Sequence, residues 1–145
     1  MSSVGFFKRL LIVGYDGLLL LGVIFLASLF FPLLPEALNF SLLGKILKVL
    51  YLISITFLFY GWFWTHGGQT LGMKVWNLYL VDTDGKFINW KTALVRFIAA
   101  LLSWAVVGLG FTWILLDRKH RTWHDIISKT QILYVPASKV KKSKE

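Results

Sequence analysis

Three long apolar runs, divided by two unlike polar interruptions, set the pattern of this chain. The first, Phe6 to Phe31, reads FFKRLLIVGYDGLLLLGVIFLASLFF. About 20 apolar residues rising about 1.5 Å each cross a hydrocarbon core of about 30 Å, so this run is long enough to span a bilayer. Its charges interrupt the apolar core of a signal peptide, and it reads as a retained helix. Pro32 and Pro35 stop that helix and predict a short external turn. The second run, from about Lys45 to Thr65, spans by the same measure, and Lys45 and Lys48 can snorkel outward from its first turn. Tyr60, Trp62 and Trp64 gather at its far end, as an aromatic belt would.

After Thr65 the pattern changes to glycines, charges and short alternations. Lys74 to Asp82 (KVWNLYLVD) alternates with period two and ends at Thr83-Asp84-Gly85, which predicts a short strand in competition with an amphipathic helix. Phe87 to Trp90 is placed to pair back across that turn as a second, shorter strand. Thr130 to Val135 (TQILYV) reads as a last strand, able to pair with Lys74–Asp82. The third apolar run, Ala93 to Leu116, carries Arg96 near its start, with Gly108 and Gly110 in its second half. It is long enough to cross once, or the glycines break it into two shorter helices. Residues 136–145 are a basic Lys/Ser-rich tail expected to be disordered, beyond a membrane domain of residues 1–135.

Charge favours the broken reading. Lys8 and Arg9 precede the first span, while the turn after it has no basic residue until Lys45. Lys74, Lys86 and Lys91 occupy the middle loop, and Arg118, Lys119, Arg121, Lys129, Lys139, Lys141, Lys142 and Lys144 follow the third run. The positive-inside rule places all three basic regions in the cytoplasm. Two crossings achieve this for the first two regions. The last joins them only if the third run enters and returns, which is tolerated where protein buries the irregular backbone. The expected fold is an all-α membrane protein. It has two transmembrane helices, a broken or re-entrant third hydrophobic segment and a small cytoplasmic β element.

Composition agrees with that class. The 145 residues are 57% hydrophobic and include 7 Trp and 12 Phe. The mean hydropathy of +0.67 is high for a soluble domain. The absence of cysteine removes disulfides, zinc thiolates and thiol catalysis. The formal charge of +9 marks cytoplasmic ends that meet anionic lipid head groups rather than nucleic acid.

Candidate chemistry starts with Asp16, a carboxylate well inside the first span. At that depth it needs protein, water or a partner beside it. Arg9 is seven residues earlier, on nearly the same helix face and about 10 Å away along the axis. Partners for Asp16 include Arg9, Arg96 and the hydroxyls of Ser103 and Thr112. Asp16 reads either as a proton or cation site or as a structural ion pair that fixes helix packing. Asp117, His120, His124 and Asp125 resemble metal ligands by type. Arg118, Lys119 and Arg121 surround them with positive charge, so no metal is expected. Asp125 instead calls for an arginine such as Arg9 or Arg121. Gly67 to Lys74 lacks the Gly-Lys-Ser/Thr ending and preceding strand of a phosphate loop, so it reads as a turn out of the membrane, with no cofactor. No nucleophile and base stand together, and no enzyme is expected.

Taken in order, Arg9 and Asp16, Gly68-Gln69-Thr70-Leu71-Gly72-Met73-Lys74, Arg96, Trp123-His124-Asp125 and Thr130 resemble the RDD family of bacterial membrane proteins, named for one arginine and two aspartates. The likeness covers roughly residues 6 to 135. Arg9 matches the arginine and Asp16 the first aspartate, while Asp125 is the best match for the second and Asp117 a competing one. The resemblance implies a small multi-pass protein of the bacterial inner membrane, for which transport has been suggested. Two functions then stand beside each other. One is movement of a cation or proton at a polar site of Arg9, Asp16, Arg96, Asp117 and Asp125. With so little helix surface per chain, this would need a homo-oligomer with Asp16 facing a shared interior. The other is a non-catalytic scaffold or regulatory module whose basic cytoplasmic face binds a membrane partner.

Overall fold

The computed structural model describes residues 6–106, 113–116 and 121–135. Helix α1 (Phe6–Ser28) is followed by a 3-10 turn (Phe31–Leu33), a short helix α2 (Glu36–Phe40) and the long helix α3 (Leu42–Thr65). Helix α4 (Leu71–Val75) leads into strand β1 (Leu78–Asp82). Helix α5 (Trp90–Ala105), a 3-10 turn (Trp113–Leu115), helix α6 (Trp123–Ile127) and strand β2 (Thr130–Tyr134) complete the described chain.

Helices α1 and α3 are long and apolar enough to cross a membrane. At about 1.5 Å per residue, their 23 and 24 residues measure about 35 and 36 Å. Both present apolar side chains outward, among them Leu18 and Phe25 on α1 and Leu50 and Leu58 on α3. Such faces suit hydrocarbon, because the helix satisfies its own backbone groups. The turn predicted between them is more structured than expected. Pro35 starts α2, Asn39 Nδ2 donates to the carbonyls of Phe31 (3.1 Å) and Leu34 (2.8 Å), and Ser41 caps α3 by accepting from Gly44 N at 2.9 Å. Lys48, expected to snorkel, donates to the Asn39 carbonyl at 3.2 Å and braces this linker.

The stretch Lys74–Asp82 is not one strand. Thr70 accepts from Met73 N at 3.2 Å and starts α4, so only Leu78–Asp82 is extended. Residues Phe87–Trp90 do not pair back as a second strand. Asp82 Oδ1 accepts from the amides of Asp84 and Lys86, both at 2.8 Å, and closes a tight loop. Asn89 then caps α5 through Thr92 N at 2.9 Å. The partner of β1 is β2, antiparallel, from Leu78 opposite Tyr134 to Asp82 opposite Thr130. Leu78 and Leu80 alternate onto the core face and are fully buried.

Helix α5 ends at Ala105. Its 16 residues measure about 24 Å, less than a hydrocarbon core of about 30 Å. Gly108 and Gly110 lie outside the described residues. The buried positions of α5 are Ala93, Arg96, Phe97, Ala99 and Ser103, mostly one helical stripe. The apolar core does not lie along the full length of the long helices. It gathers where one end of them meets α4 and β1, around Ile12, Trp64, Met73, Leu80, Ala93 and Phe97. Trp64, expected in an aromatic belt, is thus a core residue, whereas Trp62 stays exposed and stacks on His66 with ring centroids 4.0 Å apart. We refer to α4, α6 and the two strands together as the cap.

Candidate functional site

The buried residues of α1 are Arg9, Ile12 and Asp16, one helix face, and both charged ones are held by the cap. Arg9 Nη1 donates to Asp125 Oδ2 at 2.5 Å, and Arg96 Nη1 donates to Asp125 Oδ1 at 2.5 Å. The Thr122 amide donates to Asp125 Oδ2 at 3.2 Å, and Arg96 Nη1 also reaches Thr130 Oγ1 at 2.6 Å. The Arg96 guanidinium lies over the Trp64 ring, 5.3 Å from its centroid. Asp125 is 1% exposed. Removing charges from water costs several kcal/mol per ion, which close pairing and further hydrogen bonds must offset. Here both carboxylate oxygens have donors. Two guanidiniums share this one carboxylate.

The electrostatics follow from that crowding. Burial pushes the Asp125 carboxyl up, but the charges of Arg96 and Arg9 outweigh it and hold the group below the usual carboxylate range. His124 is pushed down to about 3, first by burial and then by the Arg96 charge, and is a neutral imidazole at pH 7. Its Nε2 lies 2.9 Å from Thr122 Oγ1.

Asp16 has a different set of partners from those expected. Its Oδ1 accepts from Gly72 N at 2.8 Å, and the Thr70 hydroxyl is a second donor. Both come from the start of α4. Ser103 is buried with no hydrogen-bond partner for its Oγ among the described residues, and Thr112 lies outside them. A Cβ at Gly72 would stand 2.9 Å from Asp16 Oδ1 and 3.0 Å from the Ile12 carbonyl oxygen. Glycine at 72 is therefore what lets α4 touch α1. Gly68 adopts φ +62°, in the left-handed region, and its carbonyl accepts from Leu80 N at 2.6 Å, docking the loop onto β1.

Between α1, α3 and α5 runs a cavity of about 320 Å³. Arg9, Arg96, Thr70 and His124 line the end beneath the cap, and Gly17, Leu20, Thr56, Ala100 and Leu101 line the other. Asp16 and Tyr60 border it between these ends.

Four residues singled out in the sequence, Arg9, Asp16, Arg96 and Asp125, thus gather around one end of the helices. Asp117 and His120 lie outside the described residues. Among the described residues no three His, Asp or Glu side chains come within reach of one metal ion. Sequence reasoning did not assign roles to Thr70, Gly72, Thr122 or Thr130. The signal was present in Gly-Gln-Thr-x-Gly-x-Lys, where threonine caps a helix and glycine two residues later permits contact.

Comparisons with known proteins agree with this arrangement of motifs. The family model of the RDD family matches residues 3–129. The chain is 33% identical over 87 residues to "Uncharacterized protein YxaI" of Bacillus subtilis (strain 168). That alignment covers 59% of this chain and 57% of the relative, so the chain spans just over half the length of the curated relative it matches. No solved structure gives a significant match.

Proposed function

We propose, from the premise that the chain belongs to the RDD family of membrane proteins, that it is a non-catalytic, multi-pass module of the bacterial inner membrane in which the arginine and both aspartates fasten a cytoplasmic cap to the membrane helices. The observation that carries this reading is the Arg9–Asp125–Arg96 bridge. It joins α1, α5 and α6 through a carboxylate whose oxygens are both engaged. Asp16 fastens α4 in the same way. The charges near the cap are thereby used by the chain itself. In this reading the third segment enters the membrane and returns, which the shortness of α5 and the contact of Asp125 with Arg9 support. The N-terminus and the tail are cytoplasmic. The exposed Lys74, Lys86, Lys91 and Lys129 then face anionic lipid head groups and a membrane protein partner.

A second reading makes Asp16 the site of a travelling cation or proton, and one observation favours it: Asp16 borders the cavity. Flux measurements separate the two. The full chain is placed in liposomes loaded with a pH-sensitive dye, and proton movement is driven by a sodium or potassium gradient. The module reading expects wild type and Asp16→Asn to match protein-free liposomes. Flux in the wild type that Asp16→Asn abolishes, with the variant still folded, would overturn it in favour of the second reading.

A further inference from the structure

We propose that the cavity beneath the cap binds an uncharged amphipathic lipid, a hydrocarbon chain whose head offers a hydroxyl or carbonyl oxygen. This goes beyond the module reading, which needs no ligand. Two residues of the cavity wall each carry a buried polar atom without a hydrogen-bond partner, Arg96 Nε and His124 Nδ1. Buried polar groups in folded proteins are almost always hydrogen-bonded, so each one left over calls for a partner. Arg96 Nε–H is a donor only. Nδ1 of neutral His124 takes the role its other nitrogen leaves. It donates when Nε2 accepts from the Thr122 hydroxyl, and it accepts when Nε2 donates there. A hydroxyl group pairs with either tautomer, and a carbonyl pairs with Arg96 Nε and with the Nδ1–H form.

The same wall gives an ionic head no advantage. Asp125 engages both Arg9 and Arg96, and Asp16 stands in the wall beside them. The charges at the cap end therefore have counterparts within the chain, and the unmet demand is for a hydrogen bond, not for an ion. Away from the cap the wall turns apolar, at Leu20, Ala100 and Leu101. It runs on α1 from Arg9 to Leu20 and on α5 from Arg96 to Trp104, about 12–16 Å at 1.5 Å per residue. Hydrocarbon fills such a path better than water, which needs polar partners. A volume of about 320 Å³ falls within the range of small-molecule sites, about 300–1,000 Å³. The head chemistry is common to a neutral glycerolipid, with its ester and hydroxyls, and to a lipid quinone, with its ring carbonyls.

The test is native mass spectrometry of the full chain in a zwitterionic detergent, with added monooleoylglycerol, decylubiquinone, oleate or the oxygen-free octadecene. One monooleoylglycerol or one decylubiquinone per chain is expected, with octadecene about tenfold weaker for want of a hydrogen bond. Binding of monooleoylglycerol alone identifies a glycerolipid site, and binding of decylubiquinone alone a quinone site. Folded His124→Phe is expected to bind the oxygen-bearing ligands about tenfold more weakly and octadecene unchanged, a split that a merely structural role would not produce. Gly17→Leu and Ala100→Phe fill the apolar end, and no atom lies within 4 Å of where a Cβ at Gly17 would be. Either variant, with unchanged helix content and thermal midpoint, is expected to lose binding about tenfold or more. Oleate or octadecene binding as tightly as monooleoylglycerol and decylubiquinone overturns the head assignment. Undiminished binding by both filled variants, or no binding of either uncharged lipid, overturns the site.

Discussion

Arg9 and Asp125 are 116 residues apart in the chain and 2.5 Å apart in the fold. With Arg96 at 2.5 Å on the other carboxylate oxygen, that contact ties the first helix to the last short one. The cap is held to the helices by this bridge, by the Asp16–Gly72 bond and by the small core between them.

Asp125→Ala leaves two buried guanidiniums facing each other. Breaking a buried pair from one side costs about 3–5 kcal/mol. The thermal midpoint in detergent, followed by tryptophan fluorescence, is expected to fall accordingly. A change within about 0.5 kcal/mol, the range of ordinary surface substitutions, would show that the bridge does not hold the cap.

Asp16 can be separated into shape and charge. Asp16→Asn keeps an acceptor oxygen for Gly72 N and is expected to cost under about 1 kcal/mol. Asp16→Leu leaves that amide and the Thr70 hydroxyl without their acceptor and is expected to cost about 1–3 kcal/mol. An Asn variant as damaged as the Leu variant would mean that the charge itself, not the hydrogen bond, is required.

Gly72→Ala places a methyl group 2.9 Å from Asp16 Oδ1, against the Ile12 backbone. Overpacking of this kind costs about 1–3 kcal/mol. Lower protection of the α4 amides in hydrogen exchange, with α3 unaffected, is the expected signature. Uniform protection in the variant would contradict it.

Stability should fall with acid in two windows. The folded value of His124, about 3, lies below its unfolded value of about 6.5, so the unfolded chain binds the extra proton. Stability then falls as pH drops from about 6.5 toward 3, by at most about 1.4 kcal/mol per pH unit. Asp125 is held below its unfolded value of about 3.9, so its contribution is intact above that value and is lost only below it. His124→Asn is expected to remove the decline between about pH 6.5 and 4 and to leave the lower limb. A decline unchanged in that variant would assign it to another group.

Orientation is accessible because the chain has no cysteine. Single-cysteine variants Glu36→Cys and Asp84→Cys, both at exposed positions, can be labelled in whole cells with a membrane-impermeant maleimide. Labelling at 36 and protection at 84 and at Glu145→Cys is expected. Labelling at 145 would mean three crossings against the charge bias.

Much of this was legible before any coordinates. Twenty-residue apolar runs announce spans by length alone, and the family model confirms the membrane assignment. Asp16 and Arg9 stood out because charge inside an apolar run demands an explanation. The pairing of the first and last strands was readable from alternation, whereas the false partner at Phe87–Trp90 followed from proximity in sequence. What periodicity cannot express is a backbone donor. The partner of Asp16 is the amide of Gly72, and neither the short helix that aims it nor the missing Cβ that admits it has a hydropathy signature.

The span between Arg9 and Asp125 also has a meaning in time. Ribosomes add about 5–20 residues per second, so about 6–23 s separate the synthesis of one partner from that of the other. The emerging chain delivers an arginine and an aspartate to the insertion machinery long before their counterparts exist. During that interval only the Asp16–Gly72 bond and apolar packing hold the first helix, and the finished fold is sealed by nearly its last described segment. Chains truncated before Asp125 would therefore insert but lack the bridge at Arg9.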